Sequence, residues 1–177
     1  MSEMMVGVGR DANPPAPLRA GAGDEAALAV HAATLADGIE QALSRWVERS
    51  VERVAAAWGG AVPETLGQDA VAAGARARAE VGPRVRALLE RDVDAQATGP
   101  LALLRQAVAY PTEVLHRAGV PPVVRDRFAE DAFPADDYDL SPASFADLDP
   151  ALGEAGVVWG AAKAHVVLAR RRREGRR

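Results

Sequence analysis

The sequence predicts an all-α fold: a single-domain helical bundle with one long N-terminal helix and several shorter helices delimited by proline. Composition points there first. The chain of 177 residues is 49% hydrophobic but only 5% aromatic. Alanine supplies much of the apolar content, which suits helices packed through small side chains and starves a β-sandwich of β-branched and aromatic residues. Periodicity points the same way, because apolar residues recur three, four and seven apart, as on one helix face. No hairpin signal or strand run is left once those helices are placed.

Residues 1–23 combine Pro14, Pro15 and Pro17 with scattered glycine and no periodicity, the mark of a flexible leader. Gly7-Val8-Gly9 does not open a dinucleotide loop, since the third glycine position holds Ala12 and prolines follow where the helix should begin. The helical domain then spans residues 24–169, and residues 170–177 form a basic tail.

Asp24 is placed to cap a helix running to about Trp58, with Leu28, Leu35, Ile39, Leu43, Val47, Val51, Val54 and Trp58 on one stripe and Gly59-Gly60 as its stop. Some 35 residues at 1.5 Å each make a rod of roughly 50 Å, so either neighbouring helices line it or a partner covers the excess. Pro63 suits the first turn of a second helix through Leu66, Ala70 and Ala73, which Gly82-Pro83 should break. A shorter helix then carries Val85, Leu88, Leu89 and Val93 up to Thr98-Gly99-Pro100. Leu101, Leu104, Val108, Pro111, Leu115 and Ala118 hold one stripe across Pro111, which predicts a single kinked helix ending at Gly119. Pro121-Pro122 is expected to start a short helix through Val124 and Phe128. Ser141-Pro142 and Asp149-Pro150 read as two further helix starts. A last helix from about Gly156 to Arg173 should bury Val157, Ala161, Ala164 and Leu168.

Several chemistries are excluded outright. With no cysteine, thiolate metal sites, disulfides and thiol nucleophiles are absent, which suits a reducing cytoplasm. Met1–Gly9 lacks the basic and apolar regions of a signal peptide, and no run approaches the ~20 apolar residues of a membrane span; a cytoplasmic location is expected. None of the serines lies in a Gly-x-Ser-x-Gly turn.

The segment EDAFPADDYDLSPASFADLDP, residues 130–150, concentrates carboxylates with Phe133, Tyr138 and Phe145 as anchors. Asp137, Asp139 and Ser141 match the first ligand positions of a calcium loop, but Pro142 stands where glycine is required and Leu148 where the bidentate glutamate belongs. Only Asp136, Asp137 and Asp139 lack an obvious structural task. Glu113 and His116 form a Glu-x-x-His pair on a helix, which a di-iron bundle would need twice. With His165 and the three aspartates, they are the candidate ligands of a divalent metal. No other cofactor is expected.

Lys163 is the single lysine among arginines, as codon bias in a GC-rich genome would produce. Residues 170–177 hold six arginines and one glutamate, a net +5, so the preceding 169 residues carry −9 of the chain's −4. Arg170, Arg171, Arg172 and Arg173 complement a helix C-terminus first. Pairing with the 130–150 acids ranks second, and phosphate binding third.

Ala109–Leu115, Gly119–Arg125, Leu140–Pro150 and Trp159–Arg172 resemble, over roughly residues 103–172, an uncharacterised family of small actinobacterial proteins. The resemblance implies a bacterial cytosolic setting and no activity. The leading functional expectation is a non-enzymatic helical protein acting through protein–protein contact or self-association, with a homodimer along the long helix. A metal-dependent enzyme with a carboxylate/His site is the alternative, and nucleic-acid binding through the arginine tail is third.

Overall fold

Leu35, Ile39, Leu43, Val47 and Val51 are fully buried along one face of the first helix, each contributing about 2 kcal/mol of apolar burial. The computed structural model describes residues 21–91 and 99–175. These residues form α1 (Ala22–Trp58), α2 (Leu66–Glu90), α3 (Pro100–Gln106), α4 (Ala109–Arg117), α5 (Arg127–Ala132), a 3₁₀ turn (Phe145–Asp147) and α6 (Leu152–Glu174), with no strand among them. The all-α bundle is thus the architecture. The expectations for the leader up to residue 20, for Val93 and Thr98, and for Arg176 and Arg177 lie outside the described residues.

α1 starts two residues before the expected Asp24 cap. Asp24 sits instead in the first turn, where its Oδ2 accepts the Gly21 N–H at 2.8 Å. Gly59 ends the helix in the left-handed conformation, φ 69°, with its N–H on the Ala55 carbonyl. α2 and α6 both lie antiparallel on α1. Arg86 of α2 reaches Asp37 and Glu40 of α1, and Arg170 of α6 reaches Glu25. α1 is therefore lined from within the chain by α2 and α6, while Val30 and Trp58 on it stay exposed.

α2 does not break at Gly82-Pro83. Pro83 lies inside the continuous helix. Proline removes one helical hydrogen bond and crowds the carbonyl four residues back; here Pro83 and Ala79 are both exposed, so that carbonyl can be hydrated. A Cβ at Gly82 would lie 2.9 Å from Glu40 Cγ, so the Glu40 side chain that Arg86 holds would have to shift.

The stripe across Pro111 is interrupted, but upstream of the proline. The backbone turns at Ala107–Val108, where the Tyr110 N–H bonds the Ala107 carbonyl at 3.1 Å. Pro111, having no N–H, then occupies the first turn of α4, where none is required. Pro121-Pro122 likewise starts no helix. α5 begins after Asp126, whose Oδ1 caps Ala129 N at 2.8 Å. Ser141-Pro142 is irregular, and Ser144 with Asp147 opens the 3₁₀ turn in its place. Asp149-Pro150 does start α6, its carboxylate accepting Ala151 N and its carbonyl Leu152 N.

Candidate functional site

The 130–150 segment folds as a strap across the bundle, and its charges are largely committed to holding it. Asp136 is 2% exposed and accepts Leu140 N at 2.7 and 2.9 Å and Ser141 N at 2.6 Å. A buried carboxylate surrounded by backbone donors organises a loop. Tyr138 is buried beside it and donates its hydroxyl to the Val120 carbonyl at 2.6 Å. Burial, with the Asp137 charge next to it, pushes that phenol above its ordinary range. Phe145 meets Trp159 of α6 edge-on, ring centroids 6.4 Å apart, and Phe133 lies under the Arg105 guanidinium.

Arginines complete the fastening. Arg49 donates to the Leu148 carbonyl and Arg105 to that of Pro142, while Arg45 pairs with Asp149. Arg125 bridges the Ala129 and Phe133 carbonyls. A guanidinium offers several fixed donors where lysine offers a point charge, so the arginine bias has a structural use here beyond codon choice.

The six candidate ligands divide among different partners. Glu113 accepts from Arg76 at 3.2 Å and also pairs with Arg117. His116 Nε2 meets Asp137 Oδ2 at 2.9 Å, its ring 5.5 Å from that of Tyr138 at the C-terminal end of α4. His165, in the C-terminal half of α6, lies 3.6 Å from Asp24 of α1. Asp136 is occupied by backbone, and Asp139 stands exposed at φ 55°. Among the described residues no three His, Asp or Glu side chains converge as a metal cage. The His116–Asp137 contact is the single candidate–candidate pairing of this set.

A groove of about 560 Å³ lies between α1 and the strap, lined by Trp46, Arg49, Ser50, Arg53, Asp139 and Ser141 among others. Two arginines face two aspartates there, Asp139 and Asp147, and no imidazole lines the groove to activate either serine. Arg170, the first residue of the basic tail, lies within α6 and joins Glu25 of α1 rather than the strap acids.

Two surfaces went unnoticed in the sequence. Val124 is 102% and Phe128 82% exposed, at and just before α5, with Val123 beside them. On α6 the expected core stripe is on the outside: Val157 is 72% and Leu168 53% exposed, and Ala161 and Ala164 are exposed with them. The opposite face, Leu152, Trp159, Val166 and Ala169, is the buried one. Both faces of α6 are apolar, so periodicity alone marks either as core. The bulk of Trp159 was the available signal for the correct one.

No helix of the described residues is long and apolar enough to cross a membrane. Compared with known proteins, the chain matches no family model, no curated protein and no solved structure.

Proposed function

We propose that this chain is a non-enzymatic helical protein of the cytoplasm that works through contact with protein surfaces, its own included. The observation that carries this reading is Phe128. Its ring is exposed to solvent, as is Val124 four residues earlier, on a short helix capped by Asp126 whose end Arg125 ties through the Ala129 and Phe133 carbonyls. Aromatic side chains carry large apolar area and dominate contact energetics. An exposed aromatic side chain on a capped helix fits a knob that enters a partner's pocket.

The enzyme reading is weaker because its ligands are separated among arginines, backbone and one another. The nucleic-acid reading is weaker because the first tail arginine is engaged with α1 and the body is acidic. Replacing Phe128 with a photoreactive phenylalanine and irradiating it in extract from the native cells is expected to label one discrete protein species. Labelling spread over many abundant proteins, or none, would count against the proposal.

A further inference from the structure

Ser50 is 3% and Trp46 5% exposed, yet among the described residues neither the Ser50 hydroxyl nor the Trp46 indole N–H has a hydrogen-bond partner. A serine inside a helix ordinarily turns its hydroxyl back to the carbonyl four residues earlier, as Thr34 of the same helix does to Val30 at 2.9 Å. Polar groups left unpaired in a buried side chain are costly. Both residues line the groove of about 560 Å³ between α1 and the strap, and so does Arg53. Trp46, Ser50 and Arg53 are spaced four and three apart, which sets three donors on one stripe of α1.

The charges along the groove are opposed but not joined. Among the described residues Arg53 makes no ion pair, and the Asp139 carboxylate of the strap accepts no hydrogen bond. Arg49 and Asp147 line the same groove and are already engaged. Arg49 donates to the Leu148 carbonyl, while Asp147 accepts Ala143 N at 2.8 Å and Ser144 N at 2.7 Å. Left open are a cation with two neutral donors on the α1 wall and an anion on the strap wall.

We propose that this groove binds a small zwitterion, a free amino acid or short peptide with an apolar side chain. Its carboxylate meets Arg53, Ser50 and Trp46, and its ammonium meets Asp139. Leu140 and Ala143 line the groove beside the Trp46 ring and supply apolar contact. Two arginines with two aspartates leave the groove neutral, so a neutral zwitterion keeps its charges complementary. Phosphate would be set against the aspartates and a simple amine against the arginines, which selects against both. The volume lies within the range of small-molecule sites. The site is independent of the contact surface at Phe128, which does not line the groove.

The test is an NMR titration of the full chain, read at the indole N–H of Trp46, which Trp46→Phe identifies among the three tryptophans. L-leucine and leucyl-leucine probe the amino-acid and peptide forms. At least one is expected to shift that resonance saturably at millimolar concentration, and the tighter binder shows which form the groove takes. Isocaproate, isoamylamine and inorganic phosphate should each bind at least about tenfold more weakly. Arg53→Gln and Asp139→Asn each remove one exposed charge and should weaken binding about tenfold with the melting midpoint unchanged. Ser50→Ala should weaken binding without lowering the midpoint, because the hydroxyl it removes has no partner in the chain. Absence of a saturable shift with either zwitterion overturns the inference. So does binding of isocaproate, isoamylamine or phosphate as tight as the zwitterion's, or binding indifferent to both charge variants. Labelling at Phe128 reports on the other surface and stands or falls separately.

Discussion

Asp136 shows what one residue decides. The sequence left it among three aspartates without a structural task, yet it is the buried hub that gathers two backbone N–H groups of the strap. Hydrogen bonds to a charged group contribute more than neutral ones, and orphaning the donors adds a desolvation cost. Asp136→Ala should therefore destabilise the fold by about 2 kcal/mol and speed amide exchange at Leu140 and Ser141; unchanged exchange there would refute the assignment. Its neighbours differ for equally local reasons. Asp137 faces His116, whereas Asp139 adopts a left-handed φ that aspartate tolerates and turns outward.

Tyr110 makes a residue-scale statement about pH. It donates to Glu80 at 2.6 Å, joining α4 to α2, and burial first, then that hydrogen bond, push its phenol up to about 12. Free tyrosine titrates near pH 10. Between those values the folded chain keeps a proton that the unfolded chain has lost. Its stabilising contribution is thus whole below about pH 10 and disappears as pH rises through about 12. Denaturant midpoints measured across this window should fall, and Tyr110→Phe should flatten part of the fall. The remainder belongs in part to Tyr138, the other tyrosine, which is raised in the same direction.

At the scale of elements, proline and glycine positions were read correctly as special and often incorrectly as boundaries. Pro83 was expected to end α2, but its surroundings can hydrate the freed carbonyl. Pro111 was expected to kink a helix, but the turn falls upstream and leaves the proline in a first turn. Gly74 and Gly67 of α2 separate the two uses of glycine. A Cβ at Gly74 would come within 2.8 Å of the Ser44 carbonyl oxygen of α1, while one at Gly67 would touch nothing. Gly74→Ala should cost ~1–3 kcal/mol because backbone must move, whereas Gly67→Ala should stabilise by about 0.5 kcal/mol through the unfolded chain. Urea midpoints of the two variants moving the same way would contradict this account of α1–α2 packing.

At the scale of the molecule, α1 is the organising axis. α2 and α6 lie along it, α4 fills in against α1 and α2, and the strap is drawn down by Arg45, Arg49 and Arg105. The acidic segment thus works as a fastening whose carboxylates cap, clasp and pair. Its expected aromatic anchors hold that role, and among the described residues its carboxylates form no group of three His, Asp or Glu side chains able to hold a metal ion.

The sequence by itself determined the helical class, the extent of α1, its core stripe apart from the exposed Trp58, and Asp149-Pro150 as a helix start, though it began the last helix at about Gly156 rather than Leu152. Those features follow from local periodicity and capping, which act within a few residues. Only the tertiary structure decided which face of α6 is core, where Phe128 points, and which partners Glu113, His116, His165 and Arg170 take. Each depends on what packs from a distant part of the chain. Trp159 seats against Phe145 of the strap, and that contact turns Val157, Ala161, Ala164 and Leu168 outward, the four residues the sequence had assigned to the core.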